Sequence, residues 1–251
     1  MALPRKKEQF MAKADQIHLT VVYDNNAYKE SLQTDWGFSC FIQGLEKSIL
    51  FDTGSNGNIL FKNIEKLGIQ PRDIDLAFLS HNHKDHTGGL STLLQFNPKI
   101  EVWLPKFFPQ DFKEQILTAS TSLVEVEGHQ EICDGAFTTG VIEGWIKEQS
   151  LVLNSKTGLI VVTGCAHPRL INILPKVRDM FGDNIHLVLG GFHLAGFQKD
   201  EIEEVIEKLE MLGVKKIGPC HCTGENARKM FFDAYKEDFI EVGVGKEVVV
   251  R

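Results

Sequence analysis

Four side chains able to hold a metal fall within six residues: His81, His83, Asp85 and His86, in the run Ser80-His81-Asn82-His83-Lys84-Asp85-His86-Thr87-Gly88-Gly89. The segment before them, 74–80, is short and apolar and reads as a buried strand. The segment after them opens on a hydroxyl and two glycines and runs into Leu90-Ser91-Thr92-Leu93-Leu94, which reads as a helix start. The array therefore occupies a strand-to-helix loop, where a rigid scaffold can aim several side chains at one point. His81 and His83, two apart in extended backbone, project the same way and can chelate one cation through imidazole nitrogens. Asp85 and His86 follow as the chain turns and can reach a second cation beside the first. A solvated loop that merely contains histidines is the alternative, and so compact an array argues against it.

The other histidines repeat the placement. Nine are present, and six follow strand-like runs: His81, His83 and His86, then His167, His193 and His221. Carboxyl ends of strands in α/β architectures gather on one rim, where ligands bind. A common site is expected from that regularity. His18 lies inside an alternating strand and is assigned a structural role, and His129, between Gly128 and Gln130, a surface one.

A net charge of −7 over 251 residues argues against nucleic acid as a partner, since a basic face would be needed. The apolar runs are too short for a membrane span. Residues 1–16 read as a polar lead-in without the apolar core of a signal peptide, and 17–251 as a single domain. Five scattered cysteines point to reduced thiols rather than a disulfide framework, hence a cytoplasmic protein. A homo-oligomer is compatible with this composition.

Along the chain, strands are expected at 17–23, in a hairpin of 38–42 with 48–51, at 100–104, at 124–126, across 136–145, in a hairpin of 149–153 with 159–163, at 185–189, at 214–217, and in closing strands over 240–250. Helices are expected at 59–67, 107–117 (or a lid over the site), 200–212 and 227–235. Among Phe107, Phe108 and Phe112, at least two are expected in the core. Cys133 reads as a packed thiol. Cys220-His221-Cys222 lacks the paired spacing of a structural zinc site. Lys199, Arg228 and Lys229 could bind phosphate, but a solvated helix face explains them as well.

His81-x-His83-x-Asp85-His86 followed by Gly88-Gly89 resembles the signature of the metallo-β-lactamase superfamily. That resemblance implies an α/β fold, an αββα four-layer sandwich of two mixed sheets flanked by helices, with one or two metals at the sheet edge. It also lends Asp52, in Phe51-Asp52-Thr53-Gly54, the role of orienting ligands rather than binding metal. The favoured assignment puts His81, His83 and His167 on one metal and Asp85, His86 and His221 on the other. Many dinuclear members bridge their metals with an aspartate at the end of the strand before the last ligand histidine. Here the strand-end positions hold Cys165 and His193; either could replace it, or water alone could bridge. Cys165 is otherwise placed beside the ligands, and His193 is a candidate general acid or substrate contact.

Three segments, Gly164-Cys165-Ala166-His167-Pro168, Gly190-Gly191-Phe192-His193-Leu194 and His221-Cys222-Thr223-Gly224, resemble a subgroup of metal-dependent hydrolases. It includes the archaeal dihydropterin-methyl ribofuranosylaminobenzene-phosphate synthases. The resemblance implies a hydrolase of a small anionic, phosphate- or pyrophosphate-bearing substrate, with Asp85 holding the activated water and His193 assisting proton transfer. The other readings are a pterin transferase and a metal-holding sensor without catalysis. Imidazole-rich ligation suits zinc first, then manganese, iron or nickel, with magnesium a further candidate.

Overall fold

The computed structural model describes residues 16–119, 122–182 and 184–251. The lead-in expected over 1–16 lies, apart from Gln16, outside the described residues.

Among the described residues, thirteen strands form two mixed sheets. The first collects β1 (Ile17–Tyr23), β2 (Ser39–Gln43), β3 (Ile49–Phe51), β4 (Leu76–Phe78), β5 (Glu101–Pro105) and β6 (Ser122–Val126). The second is built from β7 (Gln130–Cys133), β8 (Ala136–Thr138), β9 (Leu151–Ser155), β10 (Gly158–Thr163), β11 (Ile185–Gly191) and β12 (Lys216–Cys220), and β13 (Glu247–Val250) returns to the first. Their orders are β13-β1-β2-β3-β4-β5-β6 and β12-β11-β10-β9-β8-β7. Pairing is parallel from β3 to β6 and from β10 to β12, and antiparallel elsewhere.

Both faces of each sheet are covered, and the period-two alternation sorts the residues. Leu76 and Phe78 of β4, with Ile160 and Val162 of β10, enter the core between the sheets. Ala77 and Leu79 turn outward against α1 (Gly57–Lys66), α3 (Leu90–Phe96) and α4 (Gln110–Thr118), and Val161 turns outward against α5 (Leu170–Phe181), α6 (Lys199–Met211) and α7 (Glu225–Tyr235). The result is an αββα four-layer sandwich. Phe51 and Phe78, on adjacent parallel strands, stack with ring centroids 5.5 Å apart at the start of two loops that carry site residues. Truncating either would cost about 3–5 kcal/mol and loosen both loops.

The sequence expectations need four corrections. Of 136–145 only Ala136–Thr138 is a strand; beyond it the chain runs as a loop, tied by the Ile142–Glu148 bridge, toward the site. Of 240–250 only Glu247–Val250 is a strand. β7 and α5 were not foreseen: β7 has two exposed residues before its two buried ones, and α5 carries Pro175 inside its turns. The 107–117 segment forms α4 on the outer face rather than a lid, since Ile116 packs into the outer core. Phe108 is buried there, Phe112 packs against it, and Phe107 is exposed. His18 and His129 are both exposed, and Cys133 is buried. Among the described residues, no helix is long and apolar enough to cross a membrane.

Candidate metal centre

Five strands deliver the site. Asp52 follows β3, the His81–His86 loop follows β4, Cys165 and His167 follow β10, His193 follows β11 and His221 follows β12. These strands end together because β3 pairs in parallel with β4, and β10 and β12 pair in parallel with β11. Within the β4 loop, His83 is extended (φ −112, ψ 146) and the one-turn helix α2 (Lys84–Thr87) then swings Asp85 and His86 round. Asp52, Ala166, His193 and His221 all sit at positive φ, between 44 and 55°, without being glycine. Such strain persists only where packing over-determines the backbone.

Hydrogen bonds fix three imidazoles with Nδ1 held and Nε2 pointed inward. His81 Nδ1 donates to Ser80 Oγ (2.9 Å), which itself donates to Asp52 Oδ2 (2.7 Å). His86 Nδ1 donates to Asp52 Oδ2 (2.7 Å), and His221 Nδ1 donates to Asn25 Oδ1 (3.0 Å). The free nitrogens crowd together. His81 Nε2 lies 3.1 Å from His83 Nδ1 and 3.3 Å from His167 Nε2. Asp85 Oδ2 lies 3.6 Å from His86 Nε2 and 3.4 Å from His221 Nε2, and Cys165 Sγ lies 3.2 Å from His86 Nε2.

These spacings match donors around a cation. Tetrahedral bonds of roughly 2.0–2.3 Å place donors about 3.3–3.8 Å apart. Three donor groups emerge, Asp85–His86–Cys165–His221, His81–Cys165–His167 and Cys165–His193–Cys222, each with all atoms within 4.8 Å; His83, expected as a ligand, belongs to none of them and reaches the centre through its contact with His81. His221 Nε2 is buried without a hydrogen-bond partner, which a bound ion would satisfy. Burial, reinforced by neighbouring imidazoles, pushes His81 well down and His167 to about 3, which keeps them neutral and ready to coordinate. Burial also acts to lower His86, but the Asp52 carboxylate outweighs it and raises the group to about 9. For Asp85, burial is overcome by the His221 and His86 imidazoles beside it, which hold the carboxylate ionised.

A family model described as the metallo-β-lactamase superfamily matches residues 37–169. The chain is 32% identical to the 7,8-dihydropterin-6-methyl-4-(β-D-ribofuranosyl)-aminobenzene-5′-phosphate synthase of Methanocaldococcus jannaschii, over 94% of this chain and 97% of that one. The chain belongs to the metallo-β-lactamase superfamily. Among solved structures, a metal-dependent hydrolase of the β-lactamase superfamily superposes with a TM-score of 0.78 at 27% identity, covering 92% of this chain and 98% of its own. The metallo-β-lactamase fold protein YhfI from Bacillus subtilis shares the fold alone, with a TM-score of 0.72 at 14% identity over 94% and 100% of the two chains.

The chain offers histidines and an aspartate on a sheet rim, but several of the residues supporting them were not found in the sequence. Glu148 is fully buried and accepts the backbone N–H groups of Gly164, Cys165, Ala166 and His167 at 2.9–3.1 Å. Burial lifts its carboxyl to about 7 while those donors pull it back. Asp24, at the end of β1, accepts the His221 N–H (2.9 Å), and Asn25 donates to the His221 carbonyl (2.7 Å). The strand-end regularity that flags the histidines applies to Asp24 too; Glu148 carries no comparable signal. Cys220 faces the core between the sheets while Cys222 faces the site, because β12 ends at Cys220 and a single turn over His221–Thr223 redirects the chain. Gly164 has to be glycine, because a Cβ there would lie 2.1 Å from Ser80 Oγ and part the two halves of the centre.

His193 sits half-buried beside His167, centroids 4.5 Å apart, with Nδ1 buried and unpartnered. A hydrogen bond with Cys222 raises its pKa against the opposing effect of burial. Beside it opens a cavity of about 220 Å³ lined by Trp145, His167, Arg169, Phe192, His193 and Phe197, among others. The Arg169 guanidinium stands 5.7 Å from the Phe197 ring. Trp145, 69% exposed, contacts His167 edge-on at 4.9 Å, and Trp36, 55% exposed, lies 5.0 Å from His221. A larger cavity, about 430 Å³, opens between α3 and α4, and no site histidine lines it. Lys199 pairs with Glu203 and Arg228 donates to the Val242 carbonyl, so both are engaged outside the centre.

Proposed function

We propose that the chain is a metal-dependent hydrolase acting on a small anionic substrate carrying a phosphate or pyrophosphate. Two convergent donor groups on one rim, one of which reaches through His167 a cavity with a guanidinium at its wall, are the observation that carries the reading. His81, His83 and His167 would hold one ion, and Asp85, His86 and His221 the other. A bound divalent metal supplies Lewis acidity, which polarises the scissile group and makes water a nucleophile near neutral pH. The protein does the rest. Asp52 holds His86 in its ligating tautomer and, through Ser80, does the same for His81. The half-buried His193 ring at the cavity mouth is placed to give a proton to a leaving oxygen. Arg169 offers planar donors to a phosphoryl group, and Trp145 a face for an apolar substituent.

The test is metal content per chain by elemental analysis, followed by assay of phosphoesters in isotopically labelled water. Two zinc ions per chain, about one in His167→Ala, and label in the product support the reading. A chain that takes up no metal overturns it.

The 32% identity to the synthase across nearly the whole chain favours a second reading, transfer of a dihydropterin group with pyrophosphate as leaving group. The products separate the two: pyrophosphate with a new bond to the acceptor supports transfer, and incorporated water supports hydrolysis.

A further inference from the structure

Cys165 is common to all three donor groups among the described residues, and is the one residue shared by the two that contain the site histidines of β4. Its sulfur sits 3.2 Å from His86 Nε2, and it belongs equally with His81 and His167 on the other side. The residue is buried, and its backbone N–H is held by Glu148, so the sulfur is fixed at the junction. His193, the other strand-end residue able to occupy a bridging place, belongs to neither of those two groups. It joins Cys165 only in a third set, with Cys222. One further buried polar atom fits a cation at this place: His221 Nε2, on the side of Asp85 and His86, has no hydrogen-bond partner.

We infer that Cys165 is a metal ligand whose thiolate bridges the two ions, taking the place that an aspartate holds in many dinuclear members of the superfamily. The inference rests on the metal-dependent reading above and deepens it, because it restricts the metal. Coordination replaces the S–H bond with S–metal bonds and releases the thiol proton to solvent, with no change of oxidation state. A thiolate is a soft donor, so the pair of sites favours zinc, cobalt or ferrous iron and disfavours magnesium and manganese, which prefer oxygen ligands. Cys222 and His193 take a supporting role. Cys222 Sγ lies 3.8 Å from the Cys165 carbonyl, and with His193 it forms a polar wall behind the bridging sulfur.

The experiment is X-ray absorption at the zinc edge on the full chain, stripped with chelator and reloaded with zinc, with elemental analysis alongside. The wild type is expected to bind two zinc ions and show a sulfur shell at about 2.3 Å. That shell should vanish in Cys165→Ser and persist in Cys222→Ser. Cys165→Asp, which restores a carboxylate bridge, should bind two ions with nitrogen and oxygen scatterers only. Circular dichroism establishes that each variant is folded. Two zinc ions in the wild type without a sulfur shell, or a shell lost in Cys222→Ser and kept in Cys165→Ser, overturns the thiolate bridge and leaves the metal-dependent reading standing. A wild type that binds no zinc overturns both. The wild-type spectrum decides the question even if Cys165→Ser fails to fold.

Discussion

Asp52 Oδ2 and His86 Nδ1 lie 2.7 Å apart with both side chains wholly buried. The same carboxylate also receives the Ser80 amide and hydroxyl, so one residue at the end of β3 orients two imidazoles from the next strand. Its saturation with donors is what makes a buried charge tolerable.

Replacing that carboxylate tests the arrangement. Asp52→Asn keeps the shape but removes the charge and one acceptor, so His86 loses its preferred tautomer. Zinc affinity, measured by competition with a chelating dye, should fall by roughly 10- to 100-fold. Unchanged affinity would show that His86 is oriented by something else.

Glu148 makes a different demand. Glu148→Ala leaves four buried N–H groups without acceptors, and each orphan costs on the order of 1–3 kcal/mol before relaxation. Urea unfolding should show a loss of about 3 kcal/mol or more, and His167 should be the ligand displaced. A loss under about 1 kcal/mol would mean the loop finds other partners.

Arg169 is expected to matter for substrate and not for metal. Arg169→Ala should raise KM for a phosphoester by roughly tenfold, the scale of one lost charged hydrogen bond, with zinc content unchanged. A fall in kcat at constant KM would instead place the residue in the chemical step.

The metal-free chain should be most stable near pH 6.5. His167 stays neutral in the fold down to about 3 while the unfolded chain takes up its proton near 6.5, so stability falls as pH drops through that window. His86 keeps its proton in the fold up to about 9, so its contribution is present below 6.5 and fades as pH rises toward 9. Denaturant midpoints of chelator-treated protein across pH 4 to 9 check both limbs. With zinc bound, the alkaline limb should disappear, because coordination displaces the His86 proton.

How much of this was legible beforehand follows from the range of the interactions. The His81–His86 array and the strands that precede His167, His193 and His221 are written in local pattern, because strand alternation and ligand spacing act over a few residues; the αββα layering was implied only by the resemblance that the array carries. The same locality explains the failures. Residues 139–145 read as strand by composition, but they leave the sheet because Ile142 pairs with Glu148 and the chain must carry Trp145 to the cavity. Glu148 looked like any acid before a strand, and its role exists only because β10 ends beside it.

The sequence by itself determined which residues could bind a metal and that they would end up on strand ends. Only the tertiary structure decided which of them meet. That His81 faces His167 at 3.3 Å across 86 positions, and that Cys165 falls in all three donor groups, depends on two sheets packing face to face through a shared apolar core. Burial between those sheets is a collective, non-directional effect, and no short run of residues encodes the point at which it brings two loops together.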